Sequence, residues 1–297
     1  MRVMILICCG ALALLLGCHT LVPDVGGAGT LLDSAAPWLG VLIPVLALVG
    51  LAGRTRATAA VLVPAVVWCA TFGVDLIPRA SAAGGDFRVA SQNMFADNEN
   101  PSSTVADLAA TDADLIGVQE LTGQSRAAAR EILSDDYPHH TTIGTVGLWS
   151  RFPIEATEPV DLGLGWTRAL RALVRTPHGP VTVFVAHLPS LRPDSVAARN
   201  RSLTSLAAEL AADRASRVIV LADLNTATTD REMEVFPPNF HVAQDEAGTG
   251  AGFTWPAGFP LVRIDHVLYS GVRATDAGVV STRGSDHRAV VVDFAFG

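Results

Sequence analysis

The chain contains no lysine, so each of its 21 basic residues is arginine, a usage that says more about genome composition than about function. Cysteine is nearly as scarce: Cys8, Cys9, Cys18 and Cys69 are the four, and all fall in the first 79 residues. The rest of the chain therefore has no disulfide, no thiolate nucleophile and no cysteine-ligated zinc. Internal repeats and low-complexity tracts are also missing. With 49% apolar residues and a mean hydropathy of +0.36, the chain is too apolar to be disordered and unusual for a wholly soluble enzyme.

Charge is divided unevenly. Residues 1–79 carry Arg2, Arg54, Arg56 and Arg79 against Asp24, Asp33 and Asp75, net +1, whereas residues 80–297 carry 17 arginines against 26 acids, net −9. An acidic domain repels polyphosphate at long range, which argues against a processive or non-specific nucleic-acid binder. A small phosphate ester held through a metal ion remains open to it.

Three apolar stretches, 3–22, 35–53 and 57–78, are each about 20 residues, the length that crosses a ~30 Å hydrocarbon core as helix. The only charge in the last of them, Asp75, lies near its end. Pro44 and Pro64 fall inside the second and third stretches, where a membrane helix tolerates a kink. Trp38 and Trp68 suit a membrane interface, Trp68 equally an interior. Arg2, Arg54 and Arg56 would lie inside the cell, since the loop 19–34 has no Lys or Arg, and three crossings would then put the acidic domain outside, in a multi-pass cell-membrane protein. Leu15-Leu16-Gly17-Cys18 also has the form of a lipoprotein cleavage site with Cys18 lipidated. Its weakly basic start favours an ordinary first span, and both readings export the domain.

The expected organisation is a membrane region over 1–80, a linker over 81–86 rich in small residues, and one domain over 87–297. Within it, β-branched runs predict strands at 87–93, 114–120, 142–150, 169–175, 181–186, 217–222, 263–269 and 289–294. Helices are expected at 104–110, 127–133 and 193–213, and a turn at 176–180. Strands mixed with helices indicate a layered α/β or α+β sandwich.

Polar residues recur at the ends of the apolar strands: Asn93, Glu120, His187, Asp223 with Asn225, Asp265, and Asp286-His287. One such residue is ordinarily a turn or cap. Six placements are hard to attribute to loop composition, and in a mixed sheet strand ends and antiparallel strand starts share an edge. Oxygen ligands, two imidazoles and two amides at one edge are equipment for metal-assisted attack on phosphorus. Asp265 could instead pair with Arg263. His139, His140 and His178 read as turn residues without chemistry, and Asp97 and Glu99 as a solvated loop.

The residues resemble the endonuclease/exonuclease/phosphatase superfamily. The resemblance rests on Ser91-Gln92-Asn93, Gly117-Val118-Gln119-Glu120, Trp149-Ser150-Arg151-Phe152-Pro153-Ile154, Ala186-His187-Leu188, Ala222-Asp223-Leu224-Asn225, Arg263-Ile264-Asp265-His266 and Ser285-Asp286-His287, in family order. Ala222 stands where glycine is common. The resemblance implies a four-layered α/β sandwich, two mixed sheets flanked by helices, here preceded by three transmembrane helices. It also implies a divalent cation, Mg²⁺ or Mn²⁺, with Glu120 as main ligand assisted by Asn93 and Asp286. Asp223 would orient or deprotonate the attacking water, and Asn225 would bond the phosphoryl oxygens. His287, oriented by Asp265, would serve as general base or as cationic phosphate stabiliser. His187 would donate to the phosphate, and Arg168, ahead of a strand, would grip it.

The three-span front, the cysteine-free exported domain and Phe253-Thr254-Trp255-Pro256 together look like the VanJ-type teicoplanin-resistance membrane proteins. This likeness implies a lipid-linked diphosphate such as undecaprenyl pyrophosphate as substrate, and no nucleic-acid partner. The competing readings are an exported, tethered nuclease or sphingomyelinase-like phosphodiesterase, and a silent phosphate-binding sensor. Oligomeric state is not legible.

Overall fold

The computed structural model describes residues 1–77, 84–192 and 194–296. Part of the expected linker (81–83) and the expected helix start at Pro193 lie outside the described residues. Two compact units emerge: Met1–Ile77 with Ala227–Arg231, and Pro78–Thr226 with Glu232–Gly297.

The first unit is helical, with α1 (Arg2–Cys18), α2 (Ala28–Ala35), α3 (Leu42–Ala52) and α4 (Leu62–Thr71). On α1, Ile5, Cys9, Leu12 and Leu16 form one buried stripe, while Val3, Ile7 and Leu14 on the other faces are exposed. A helix apolar all round suits a protein interior or a bilayer. Only two of the three expected spans are long enough by length and composition: Arg2–Leu21, 20 residues, and Ala28–Ala52, 25 residues. The third, Arg56–Thr71, is shorter, because the apolar run continues past Thr71 into Phe72 and a 3₁₀ turn, Gly73–Leu76.

Pro44 falls within the Ala28–Ala52 span and Pro64 within the shorter Arg56–Thr71, as expected. Pro44 and Pro64 sit in the first turns of α3 and α4, each after a 3₁₀ segment (Ala36–Val41 and Arg56–Val61), where a missing N–H breaks no helical hydrogen bond. Trp68 packs inside, its indole N–H donating to the Pro37 carbonyl at 2.7 Å. Asp33, fully buried, accepts from the Arg231 guanidinium at 2.6 Å and bonds His19 Nδ1 at 2.8 Å.

The second unit contains two six-stranded mixed sheets. The first is built from β1 (Phe87–Asn93), β2 (Leu115–Gln119), β3 (His139–Ile143), β4 (Val146–Ser150), β11 (Arg273–Val280) and β12 (Ala289–Ala295), in the order β11-β12-β1-β2-β4-β3. The second is built from β5 (Ile154–Pro159), β6 (Ala169–Thr176), β7 (Gly179–His187), β8 (Val218–Asp223), β9 (His241–Val242) and β10 (Asp265–Ser270), in the order β5-β6-β7-β8-β10-β9. Strand alternation assigns the faces. Val89 and Leu115 meet Val185, Ile219 and Leu221 in the core between the sheets. Ala90 and Ile116 face outward onto α5 (Pro101–Ala109) and α6 (Gly123–Leu133). Val220 and Ala222 face α7 (Val196–Ala212) on the opposite side. A short α8 (Ala243–Ala247) completes the element set. The result is the expected α/β architecture of two mixed sheets flanked by helices.

At Gly117 the sheets approach closely, since a Cβ there would lie 2.6 Å from Leu221 Cδ1. The single strand expected over 142–150 is instead the hairpin of β3 and β4, turning at Gly144, whose φ is +57°. His139 and His140 therefore belong to an edge strand, with His140 stacked on Trp149. β5 and β11 went unexpected because half-polar edge strands lack a continuous apolar run. α5 and α6 begin earlier than expected: Asn100 caps the first, and a Thr122/Ser125 capping box starts the second.

Candidate active site

Register brings the chemistry together. His187 pairs with Asp223 across the parallel strands β7 and β8, and Asp265 pairs with Asp223 across the antiparallel strands β8 and β10. Asp223 has the parity of Ile219 and Leu221, so all three side chains fall on the inner face at one edge. In the other sheet Asn93, with the parity of Val89 and Ser91, ends β1 on its inner face. Its amide donates across the gap to Asp223 Oδ2 at 2.8 Å.

Two site residues need unusual backbone. Glu120, just past β2, has φ +54°, and Asn225, past β8, has φ +49°. Strained conformations of this kind concentrate at functional sites. The turn at Glu120 lets Oε2 accept from the Ala96 amide at 2.8 Å and brings Oε1 to 3.4 Å from His187 Nε2. Asn225 donates to the Leu188 carbonyl at 3.0 Å and to Asp223 Oδ2 at 3.2 Å.

Asp265 is the partner of His287, Oδ2 to Nδ1 at 2.8 Å, while Arg263 pairs with Asp245. The alternative Arg263–Asp265 pairing is thus replaced. Asp286 stands at the rim. Its side chain is 40% exposed, one oxygen accepts from the Trp255 indole at 3.2 Å, and the other is 3.9 Å from His287 Nε2. Arg168 lies on the other flank, its guanidinium 2.6 Å from His187 Nε2 and its plane against the exposed Trp166 ring. Asp97 and Glu99 take no part in the cluster.

Electrostatics follow from burial. Asp223 is fully desolvated and beside Asp265; together these outweigh His287, Asn93 and the Asn225 amide and raise its carboxyl to about 7. Burial also opposes the charged form of His287, but the Asp265 carboxylate overrides it and lifts the imidazole to about 10. His187 is driven well below its ordinary value by burial and then by Arg168 and His287, so it is neutral at pH 7. Burial lowers Arg168 as well, against the pull of Asp223 and Glu120.

These residues suit a divalent cation. Ligand atoms of Asp223, Asp265 and His287 lie within 4.8 Å of one another, and Asp265 Oδ1 is buried with no protein partner. Two crowded carboxylates, one pushed toward neutrality, form a site short of positive charge. Its oxygen-rich donor set, free of thiolate, is one that hard cations prefer. Asn93 touches this cluster through Asp223 and Glu120 approaches it through His187, whereas Asp286 is peripheral.

Sequence reading missed the supporting shell. Gln92 donates to Ser285 Oγ at 3.1 Å and to the His287 carbonyl at 3.2 Å, and Ser285 Oγ in turn donates to the Asn93 carbonyl at 2.7 Å. Gln119 reaches from β2 to the Leu221 carbonyl at 3.1 Å. For Gln119 the signal is parity: like Ser91, to whose Oγ its amide donates at 3.1 Å, it is a polar residue at an inward-facing position of an apolar strand.

A family model described as the endonuclease/exonuclease/phosphatase family matches residues 90–287. The chain belongs to this family of metal-dependent phosphoester hydrolases and is an enzyme of that class. Similar solved structures include the mannosyl-6-phosphatase of Bacteroides thetaiotaomicron, 18% identical, covering 71% of this chain and 100% of that one with a TM-score of 0.62. Another is TDP2 of D. rerio humanised by 14 mutations, 17% identical, covering 70% and 98% with a TM-score of 0.61. A third is an endonuclease/exonuclease/phosphatase protein of Beutenbergia cavernae, 20% identical, covering 72% of each chain with a TM-score of 0.60. At these identities the likeness shows the fold. A direct search of curated proteins finds no match.

Proposed function

We propose that the protein is a membrane-anchored phosphohydrolase that uses Mg²⁺ or Mn²⁺ to hydrolyse a lipid-linked diphosphate, of the undecaprenyl pyrophosphate kind, at an extracytoplasmic active site. The observation that carries this reading is the joining, in one chain, of a phosphoester hydrolase to helices of 20 and 25 residues that are apolar enough to cross a membrane. One helix already anchors a domain, so further apolar helices suit a role in holding a lipid. The VanJ-type likeness and a third, shorter crossing belong to the same proposal.

Asn93 and Glu120, with Asp286 at the rim, would hold the metal beside the Asp223 and Asp265 carboxylates, and when bound it would neutralise phosphate charge and polarise the phosphoryl group. Asp223 takes the proton of the attacking water, a role its raised carboxyl suits because proton acceptors work best near the operating pH. His287, held protonated by Asp265, places positive charge against the phosphoryl oxygens through its free Nε2 side. Asn225 donates to the same oxygens as charge builds on them. Neutral His187 offers an N–H and Arg168 a forked cation suited to phosphate.

The test is phosphate release by the full chain in lipid vesicles, with undecaprenyl pyrophosphate, sphingomyelin and single-stranded DNA as parallel substrates. Preference for the lipid diphosphate is expected. Faster cleavage of DNA would transfer the assignment to a tethered nuclease, the reading favoured by the likeness to TDP2, one structure of which is a complex with single-stranded DNA product.

A further inference from the structure

Behind the candidate catalytic edge lies a buried polar cluster that takes no part in phosphate chemistry. It centres on Thr226, one residue past Asn225. His266 Nε2 bonds the Thr226 carbonyl at 2.9 Å, so this nitrogen carries the ring proton. Thr226 Oγ1 donates to the Leu224 carbonyl at 2.7 Å and accepts from Arg199 Nη1 at 3.1 Å. The Leu224 amide donates to the Ile264 carbonyl at 3.0 Å. Thr226 and His266 are each 1% exposed, and Arg199 is fully buried. Three separate elements, α7, β10 and the segment entering β10, therefore converge on one turn.

Burial on this scale is costly. A guanidinium loses much hydration inside a protein, and His266 Nδ1 is buried with no partner. A leucine or phenylalanine at 266 would fill the same volume without that cost. What the polar groups supply is a fixed path for the backbone between Asp223 and Thr226. Asn225 has φ +49° within this path, a left-handed conformation uncommon for a residue with a Cβ, though less so for asparagine than for most. An unbraced turn would relax, swinging the Asn225 amide away from Asp223 Oδ2 and the Leu188 carbonyl.

We infer that Arg199 and His266 are positioning residues: they clamp Thr226 and thereby hold Asn225 in its left-handed conformation with its amide aimed into the phosphate site. The clamp acts on orientation, so it bears on turnover more than on substrate capture, and it holds for any phosphate ester the enzyme cleaves.

The experiment compares wild type with His266→Leu, His266→Gln and Thr226→Val as full chains in detergent, using Mg²⁺ and bis(p-nitrophenyl) phosphate as probe. Glutamine can place a donor where Nε2 stands; leucine cannot. His266→Leu and Thr226→Val are expected to lower kcat about 10- to 100-fold, the scale of a roughly 1 Å misplacement, with KM within about twofold. Amide hydrogen exchange should rise in the peptide 223–228 and little elsewhere, and His266→Gln should restore both readouts. The inference is overturned if both disruptive variants keep wild-type turnover and exchange, if glutamine rescues no better than leucine, or if the loss lies in KM alone. Should His266→Leu fail to fold, Thr226→Val decides. Should the wild type not cleave this diester, exchange at 223–228 and its reversal by glutamine decide, whatever becomes of the lipid-diphosphate reading.

Discussion

At the residue scale the site is a balance between two crowded carboxylates and one imidazolium. Replacing Glu120 by Ala should weaken metal affinity, read as a higher Mg²⁺ concentration for half-maximal rate. His287→Ala should lower kcat by ~10² to 10⁴, the range for a lost proton-transfer or charge-stabilising group. Exhaustive chelation should abolish turnover and Mg²⁺ or Mn²⁺ restore it; full activity of the chelated enzyme would contradict the family chemistry. His266 makes stability depend on pH in a defined direction. Burial, then Arg263, lowers it from the ordinary 6.5 to about 4. The unfolded chain therefore binds a proton first as pH falls. The stability this neutral histidine contributes is complete above 6.5 and is lost as pH falls through 4, by about 3 kcal/mol at most. Apparent Tm should drop between pH 7 and 4.5 in the wild type and less in His266→Gln; equal drops would refute this account.

At the element scale, the site depends on how closely the sheets approach. Asn93 on β1 and Asp223 on β8 meet only because Gly117 lets the Leu221 side chain lie against the β2 backbone. Gly117→Val should force the sheets apart at a cost of roughly 1–3 kcal/mol, lowering Tm. Because the strain falls between β2 and β8, turnover should also fall, by more than Gly123→Ala, a helix position with open space around it. Equal effects of the two changes would mean that the spacing is not set at Gly117.

At the scale of the whole molecule, the proposed membrane anchoring raises the question of the side on which the hydrolase stands. The proposed extracytoplasmic site rests on Arg2, Arg54 and Arg56 beside the apolar helices, on the lack of arginine over 19–34, and on the third, shorter apolar segment crossing as well. A cysteine introduced at Asp135, an exposed position just past α6, should react with an impermeant thiol reagent in intact cells of a strain whose native cysteines have been replaced. Labelling only after lysis would invert the topology.

Much of this was determined by sequence alone. The strand-end residues Asn93, Glu120, His187, Asp223, Asp265 and His287 were legible because an apolar run ending in a polar side chain is a local pattern, and their order along the chain carried the family. The apolar front was legible for the same reason: hydropathy accumulates residue by residue. What the tertiary structure decided is everything that depends on residues far apart. The choice of His287 over Arg263 as partner of Asp265 follows from the approach of the segment before β12 to β10. The placing of Pro44 and Pro64 in first helical turns follows from 3₁₀ segments that hydropathy does not register. The left-handed backbone at Glu120 leaves no trace in composition, since glutamate rarely adopts it, whereas asparagine, as at 225, takes it more readily. Arg199 reads on α7 as one more surface charge, and only the packing of that helix against the Thr226 turn buries it. A sequence pattern reports which face a side chain takes within its own element; which partner waits there is settled when the elements pack.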